Sequence, residues 1–386
     1  MRSINIGVAD ITDLEKTFVM EVLNEAAISP SSRTKEFEER IANQHGMNYA
    51  TCCNSGQSAL ELSLMAFKRK FPNLKYIMVP TITYISTIHA VWNSGLESIL
   101  CDVDPNTYNI NLESFFQTNS LFCHPSEIGI IPVHMFGKSI LKHELFNCMN
   151  KQQFSFVLED NCESFGASGV GYGDAMALSF YTAHTLSLGG GGAVLTNDIE
   201  FNDYIKRICN HGRINPADIY SYNVHNNYEL SKKFIFNEHG YSYKFNDIQA
   251  AIGLAQMERI DDILFKRKFN GTFLIEKLKK YTWLQVPSAS HNTFMMFPIV
   301  CDSPEIKKRL VPFLNARKIE TRDMMPITNQ PIVMQMFDKD VDGFATLFPV
   351  ADNINKCGFY IGCHQCMNQE DLDYIVETFS EFGEQV

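Results

Sequence analysis

Three segments of this 386-residue chain pair chemically useful residue types with spacings a fold can exploit. In the first, Asn54-Ser55-Gly56-Gln57-Ser58-Ala59-Leu60, a glycine turn follows a strand-like stretch and opens the helical pattern Leu60, Leu62, Leu64, Met65. Backbone N–H groups at such a helix start bind phosphate with the help of the helix dipole, and glycine allows close approach. The plain alternative is a capping turn without a ligand. In the second, Leu158-Glu159-Asp160-Asn161-Cys162-Glu163, a carboxylate stands just past an apolar run. Asp160 there can keep a heteroaromatic ring nitrogen protonated, or it can cap a helix. In the third, Ser179-Phe180-Tyr181-Thr182-Ala183-His184-Thr185-Leu186-Ser187-Leu188, the side chain suited to proton transfer near neutral pH is His184, whose alternative is a structural role. Glycines 189–192 and the strand-like Ala193-Val194-Leu195 follow, without the lysine and hydroxyl residue of a nucleotide-triphosphate loop.

The hydrophobic pattern predicts the elements that must hold these segments. Thr12-x-x-Glu15 is a capping-box pattern, and Leu14, Phe18, Val22 and Leu23 continue it at helical spacing; a second helix is expected over 36–44. Short apolar runs at 76–79, 98–103, 129–133, 154–158 and 177–181 predict strands, several separated by helix-length intervals. That alternation means a mainly parallel sheet covered by helices, with ligands beyond the C-terminal ends of the strands. A long helix is expected over 247–278, with Lys266-Arg267-Lys268 on a solvated face. Strands at 295–300 and 358–361 and helices at 304–317 and 369–382 predict a smaller α/β unit. The expected division is a large domain, 1–250, and a small one, 251–386, linked by the long helix.

A formal net charge of -11 disfavours nucleic acid and anionic membranes as partners, because both need a positive field. The first 13 residues lack a secretion signal's apolar stretch, and no apolar run spans a bilayer, so a cytoplasmic protein is expected. The 11 cysteines are odd in number and irregular in spacing, which suits reduced thiols. Cys363-His364-Gln365-Cys366 lacks the second ligand pair of a structural zinc site, so no metal is expected.

Read in order, the three segments resemble the DegT/DnrJ/StrS family of pyridoxal-phosphate sugar aminotransferases, over nearly the whole chain. Lys35-Glu36-Phe37-Glu38, Val79-Pro80-Thr81-Ile82-Thr83-Tyr84, Asp102-Val103-Asp104-Pro105 and Gly240-Tyr241-Ser242-Tyr243-Lys244-Phe245-Asn246-Asp247-Ile248-Gln249-Ala250 add to the likeness. The resemblance implies an aspartate-aminotransferase-like, fold type I architecture. In it Gly56, Gln57 and Ser179 would contact the cofactor phosphate, Tyr84 would stack on the pyridine ring and Asp160 would face the ring nitrogen. Glu163 takes the place of a family glutamine near the ring hydroxyl. A homodimer with shared active sites is implied too, the segment around Ser242 reaching the partner's phosphate, although Ser242 stands where the family carries asparagine. Gly190 replaces a family glutamate. His211-Gly212-Arg213 lies in another family-like stretch: His211 and Arg213 would help shape the sugar site, or be a structural histidine beside a surface arginine.

His184 stands where the family carries the lysine that bonds the cofactor. Imidazole has no primary amine, so pyridoxal or pyridoxamine phosphate is expected to be held noncovalently, with His184 as acid and base. Together with Glu163 and Tyr360-Ile361-Gly362-Cys363-His364-Gln365, this narrows the resemblance to a branch of the family. That branch removes the carbon-3 hydroxyl of a nucleotide-linked 4-keto-6-deoxyhexose, GDP being the nearest nucleotide and glutamate the implied amino donor. The iron-sulfur branch is also similar around His184, but residues 210–300 contain no cysteine and no cluster is expected. The alternatives are an aminotransferase that uses noncovalent pyridoxamine phosphate and leaves nitrogen on the sugar, and a non-catalytic member with a binding or regulatory role.

Overall fold

The computed structural model describes residues 3–118, 123–148, 154–214 and 235–385. The larger sheet is built from β1 (Tyr49–Cys53), β2 (Tyr76–Pro80), β3 (Glu97–Cys101), β4 (Ile128–Ile130), β5 (Leu158–Asp160), β6 (Ala175–Ser179) and β7 (Gly192–Thr196). Strands β3, β2 and β4 pair in parallel, as do β5 and β6, while antiparallel β7 links β6 to β1. Parallel bridges Ile130↔Val157 and Val133↔Asp160 join the two parts in the order β3-β2-β4-β5-β6-β7-β1. This is the mainly parallel α/β sheet that the pattern predicts. The runs at 154–158 and 177–181 are offset from β5 and β6 because apolar composition reports burial rather than pairing. Phe180, for instance, is fully buried after the chain has left the sheet, its N–H donating to the Gly191 carbonyl at 3.0 Å.

Helix Gly56–Lys70 packs against this sheet through Ala59, Leu60, Leu62, Leu64 and Phe67. Ser55 caps its start by accepting from Ser58 N at 3.1 Å, and Lys68, Arg69 and Lys70 complement the dipole at its end. The opening helix Asp13–Glu25 carries the expected Thr12/Glu15 capping box. The second helix, Ser32–Gln44, starts four residues before the expected 36. Its cap is not local: buried Asp247 accepts from Ser31 N (2.9 Å), Thr34 N (3.2 Å) and Thr34 Oγ1 (2.6 Å).

The second sheet is antiparallel in the order β10-β11-β9-β8, with β8 (Leu284–Gln285), β9 (Met296–Cys301), β10 (Thr321–Asp323) and β11 (Gly358–Gly362). Helices Ile260–Leu278, Pro304–Ala316 and Gln369–Gly383 bury Leu274, Leu278, Leu310, Leu314, Leu372 and Phe379 in one cluster with Phe297, Ile299 and Phe359. Ile4, from the other end of the chain, belongs to the same cluster and bridges to Ile319. Short helices Pro331–Phe337, Val341–Leu347 and Pro349–Cys357 fill the stretch between β10 and β11.

Two expectations need correction. The stretch 247–278 is not one helix but two, Asp247–Met257 and Ile260–Leu278, parted at Glu258 and Arg259. At this join Arg259 turns its guanidinium to Glu15 (2.7 Å) and Asp10 (3.2 Å), partners more than 240 residues away. Arg267 is not solvated like Lys266 and Lys268: it is 1% exposed. Its Nη1 donates to the carbonyls of Met295 (3.0 Å), Cys363 (3.2 Å) and Phe294 (3.3 Å), and burial draws the guanidinium down to about 10. It shares a buried face with Ile263, Asn270 and Leu274, at spacings of three and four that the sequence already displays.

Arg267→Ala leaves three buried carbonyls without their donor and a cavity beside them. Urea unfolding should register a loss of about 3–5 kcal/mol; a loss below about 1 kcal/mol, the range of surface positions, would contradict this role.

Candidate active site

The end of β5, the end of β6 and the start of helix Gly56–Lys70 meet at one place. A Cβ on Gly56 would lie 2.7 Å from Ser179 Cβ and 2.9 Å from Cys162 Sγ, so only glycine lets the helix start this close to both strand ends. Gly192 is constrained from the opposite side, since its Cβ would stand 2.4 Å from the Ser55 carbonyl oxygen. In the first turn Ser58 N is capped by Ser55 Oγ and Ala59 N bonds the Ser55 carbonyl, so the Gly56 and Gln57 amides are the ones left without an intrahelical partner. With the nearby Ser179 hydroxyl they form a cradle suited to a phosphate. The Gln57 side chain is committed elsewhere, donating to buried Glu61 at 2.9 Å, which leaves its backbone for an anion.

Asp160 closes β5 and is 4% exposed. Thr87 Oγ1 donates to its Oδ2 at 2.9 Å and Cys162 N to its Oδ1 at 3.2 Å, which fixes the carboxylate plane. Thr87 is itself paired with Thr83 at 2.8 Å. The preceding residue, Glu159, faces the opposite side of the strand, as pleating requires. There it is fully buried and accepts from Gly173 N (2.6 Å), Gly171 N (3.0 Å) and His134 Nε2 (3.0 Å). Because Ile140 N donates to Nδ1 of His134, the His134 proton sits on Nε2.

Glu163 Oε2 accepts from Phe136 N at 2.8 Å. Burial, and secondarily the Asp160 charge, raise its carboxyl to about 7 against the stabilising pull of that amide.

His184 is half-buried on the loop between β6 and β7. Its Nδ1 lies 3.2 Å from the Ser179 carbonyl, which can only accept, so Nδ1 carries the proton and Nε2 the lone pair. Burial, with the Arg267 charge adding to it, holds the ring down at about 4, so it is a neutral imidazole at physiological pH. The half-exposed ring of Tyr181 meets it edge-on, centroids 5.8 Å apart. Residues 179–192 contain no lysine. Tyr84, at the start of helix Ile85–Asn93, makes no capping bond and is 72% exposed, leaving a ring face open.

Gly56, Asp160, Glu163, Ser179 and His184 are thus positioned by adjoining strand ends. Ser242 is exposed and bridged to Asn210, its two neighbours Tyr241 and Tyr243 stack on each other, and no hydrogen bond joins it to Gly56, Gln57 or Ser179 within the chain. His211, in a left-handed turn, is tied through its N–H to the Tyr241 carbonyl at 2.8 Å, and Arg213 bridges to Phe236. Sequence reasoning missed Thr87 and the Phe136 amide as orienting groups. The four-residue spacing of Thr83 and Thr87 was a usable signal; the amide left none.

The raised Glu163 carboxyl has a consequence for stability. Folding favours its protonated form, so its contribution is fully present below the unfolded value of 4.5 and is lost as pH rises through about 7. In the cofactor-free protein, Glu163→Gln should lose less melting temperature than the native chain between pH ~5 and ~8; equal losses would count against the shift.

The family model described as the DegT/DnrJ/EryC1/StrS aminotransferase family matches residues 9–380. The chain is 27% identical to GDP-perosamine synthase of Escherichia coli O157:H7, covering 99% of each. It is 28% identical to GDP-4-keto-6-deoxy-D-mannose 3-dehydratase of Escherichia coli O55:H7, covering 97% of this chain and 99% of that one. A crystal structure of GDP-4-keto-6-deoxymannose-3-dehydratase, with PLP and glutamate trapped together, superposes with a TM-score of 0.85 at 25% identity, over 97% of this chain and 99% of that one. The architecture is that of the fold type I pyridoxal-phosphate enzymes. The chain therefore belongs to the DegT/DnrJ/EryC1/StrS aminotransferase family and is a pyridoxal-phosphate-dependent, sugar-modifying enzyme.

Proposed function

We propose that the chain is a 3-dehydratase that removes the carbon-3 hydroxyl of a nucleotide-linked 4-keto-6-deoxyhexose, with glutamate as amino donor and His184 as the proton carrier. The observation that carries the reading is His184 itself: a neutral imidazole with its Nδ1 proton committed to Ser179 and Nε2 open, on a loop without lysine. A 3-dehydratase among the relatives and the glutamate trapped in the related crystal structure support the substrate class and the donor.

The residues fit pyridoxal phosphate. Gly56 and Gln57 amides with the Ser179 hydroxyl would hold the phosphate, Asp160 the ring nitrogen, Glu163 the ring hydroxyl and Tyr84 the ring face. When bound, the cofactor supplies an electron sink for bonds broken next to the sugar's 4-keto carbon. His184 Nε2 takes and returns protons but cannot recapture the cofactor as a lysine amine would, which favours loss of nitrogen to water over its retention. The sum balances: glutamate is oxidised to 2-oxoglutarate, its nitrogen leaves as ammonia, and hydrogen replaces the carbon-3 hydroxyl. Ser242 would reach a partner's phosphate in a cytoplasmic homodimer, and His211 and Arg213 would shape the sugar site. Transamination is the second reading, favoured by the similar identity of the GDP-perosamine synthase, and its product would be a stable amino sugar.

Borohydride treatment with pyridoxal phosphate should leave no cofactor on the chain, whereas a lysyl adduct would sink the noncovalent reading. Glutamate should convert the bound cofactor to its pyridoxamine spectrum, and a 4-keto-6-deoxyhexose nucleotide should then give a 3-deoxy product with ammonia. An amino sugar without ammonia would assign transamination instead. His184→Asn should slow the glutamate step by roughly 10²–10⁴-fold with little change in cofactor affinity.

A further inference from the structure

The hydrogen bonds of the His184 ring and N–H run to Ser179, the last residue of β6, and to Tyr181 in its own loop, so the path of the loop from the strand end sets how far the imidazole reaches. Residues 180–188 close on themselves through Leu188 N to the Phe180 carbonyl (3.1 Å) and Ser187 Oγ to the Thr182 carbonyl (2.7 Å). Two elements grip the loop from outside. Gln256, 1% exposed near the end of helix Asp247–Met257, accepts from Ser187 N at 2.8 Å and donates to the Ser187 carbonyl at 3.0 Å. One side-chain amide thus satisfies both backbone groups of a residue, as a neighbouring strand would. The second is the N-terminal segment, whose Asp10 carbonyl also accepts from Gln256 Nε2 at 3.5 Å: a Cβ on Gly7 would stand 2.8 Å from Ala183 Cβ and 2.9 Å from its Cα, so bare backbone rests on the residue before His184. That segment is itself anchored, by Ile6 N to Glu320 (2.9 Å) and by Asp10 to Arg259 and Gln365 (each 3.2 Å).

We propose that Gln256 is a positioning residue for His184: its amide clamp on Ser187, backed by Gly7, sets the reach of the imidazole and keeps Nδ1 on the Ser179 carbonyl. Gln256 and Gly7 touch the loop at Ser187 and Ala183, not the His184 ring. Ser187 lies between the buried side chains of Leu186 and Leu188, so a released Ser187 backbone cannot hydrate where it is and the loop must rearrange. The charge whose field reaches His184 is that of Arg267, on a different helix, and Tyr181 lies against the ring, so the clamp acts through placement. The catalytic consequence rests on His184 being the proton carrier; the placement does not.

The test is nitrogen NMR of the histidine rings in cofactor-free protein, with His184→Asn assigning the signal, beside the glutamate half-reaction. In the native chain His184 should titrate below pH ~5. In Gln256→Met it should return toward the ordinary ~6.5, with cofactor affinity within about two-fold and the half-reaction slowed on the order of 100-fold. Gln256→Glu keeps an acceptor for Ser187 N and loses the donor, so it should fall between. Gly7→Ala displaces the same loop at Ala183 and carries the same readings if Gln256→Met fails to fold. Folded variants with native titration and native half-reaction would overturn the proposal. A native chain that glutamate cannot convert would sink the proposed function instead, while the titration would still decide the clamp.

Discussion

The constraint around which the site is built is the carbonyl of Ser179 at the end of β6. Ser179 pairs with Gly192, and Phe180 N then crosses to Gly191, which frees the Ser179 oxygen for the His184 ring. Gly192 in turn presses on Ser55, the cap of the helix that opens at Gly56. One pair of strands therefore fixes three things at once: the tautomer of the histidine, the position of the Ser179 hydroxyl, and the first turn of the helix. None can shift without breaking a backbone contact of the others, which is how a loop side chain acquires the precision of a sheet.

Around that point the electrostatics come from backbone and burial more than from opposite charges. The cradle offers amides and a hydroxyl rather than lysine or arginine, which suits a doubly charged phosphate inside a chain of net charge -11. Two carboxylates three residues apart are given different surroundings. Asp160 has Thr87 and an amide to orient it; Glu163 has one amide and burial, and sits near 7. With His184 neutral, the site near neutral pH holds two groups able to take a proton at different cost.

Much of this was legible from residue order. The opening helix, most of the sheet, the glycine start of the helix at Gly56 and the strand-end carboxylate all follow from local pattern, because each depends on neighbours in sequence. What was not legible depends on distant partners. The second helix begins early because Asp247 caps it, the long helix parts because Arg259 reaches Asp10 and Glu15, and Arg267 is buried because three carbonyls await it. A charged triplet gives no hint that its middle member points inward unless the helical spacing of Ile263, Asn270 and Leu274 is followed through it. In the site, Tyr84, Glu163 and Ser179 were reached through family likeness rather than spacing, whereas Ser242 and His211 lie outside the hydrogen-bonded cluster in a single chain.

The docking of Ile4 and its neighbours against Ile319 and Gly362 has a temporal side. During synthesis Ile4 and Gly7 are made before any strand of the large sheet, yet Ile319 and Gly362, against which this segment packs, are made long after the last of those strands. The large sheet can condense while the chain is still growing, since its strands are complete by residue 196. The brace behind Ala183 has to wait until Glu320 and Gln365, which anchor it, have been made. A nascent chain thus has every strand of its framework well before the histidine loop can be locked.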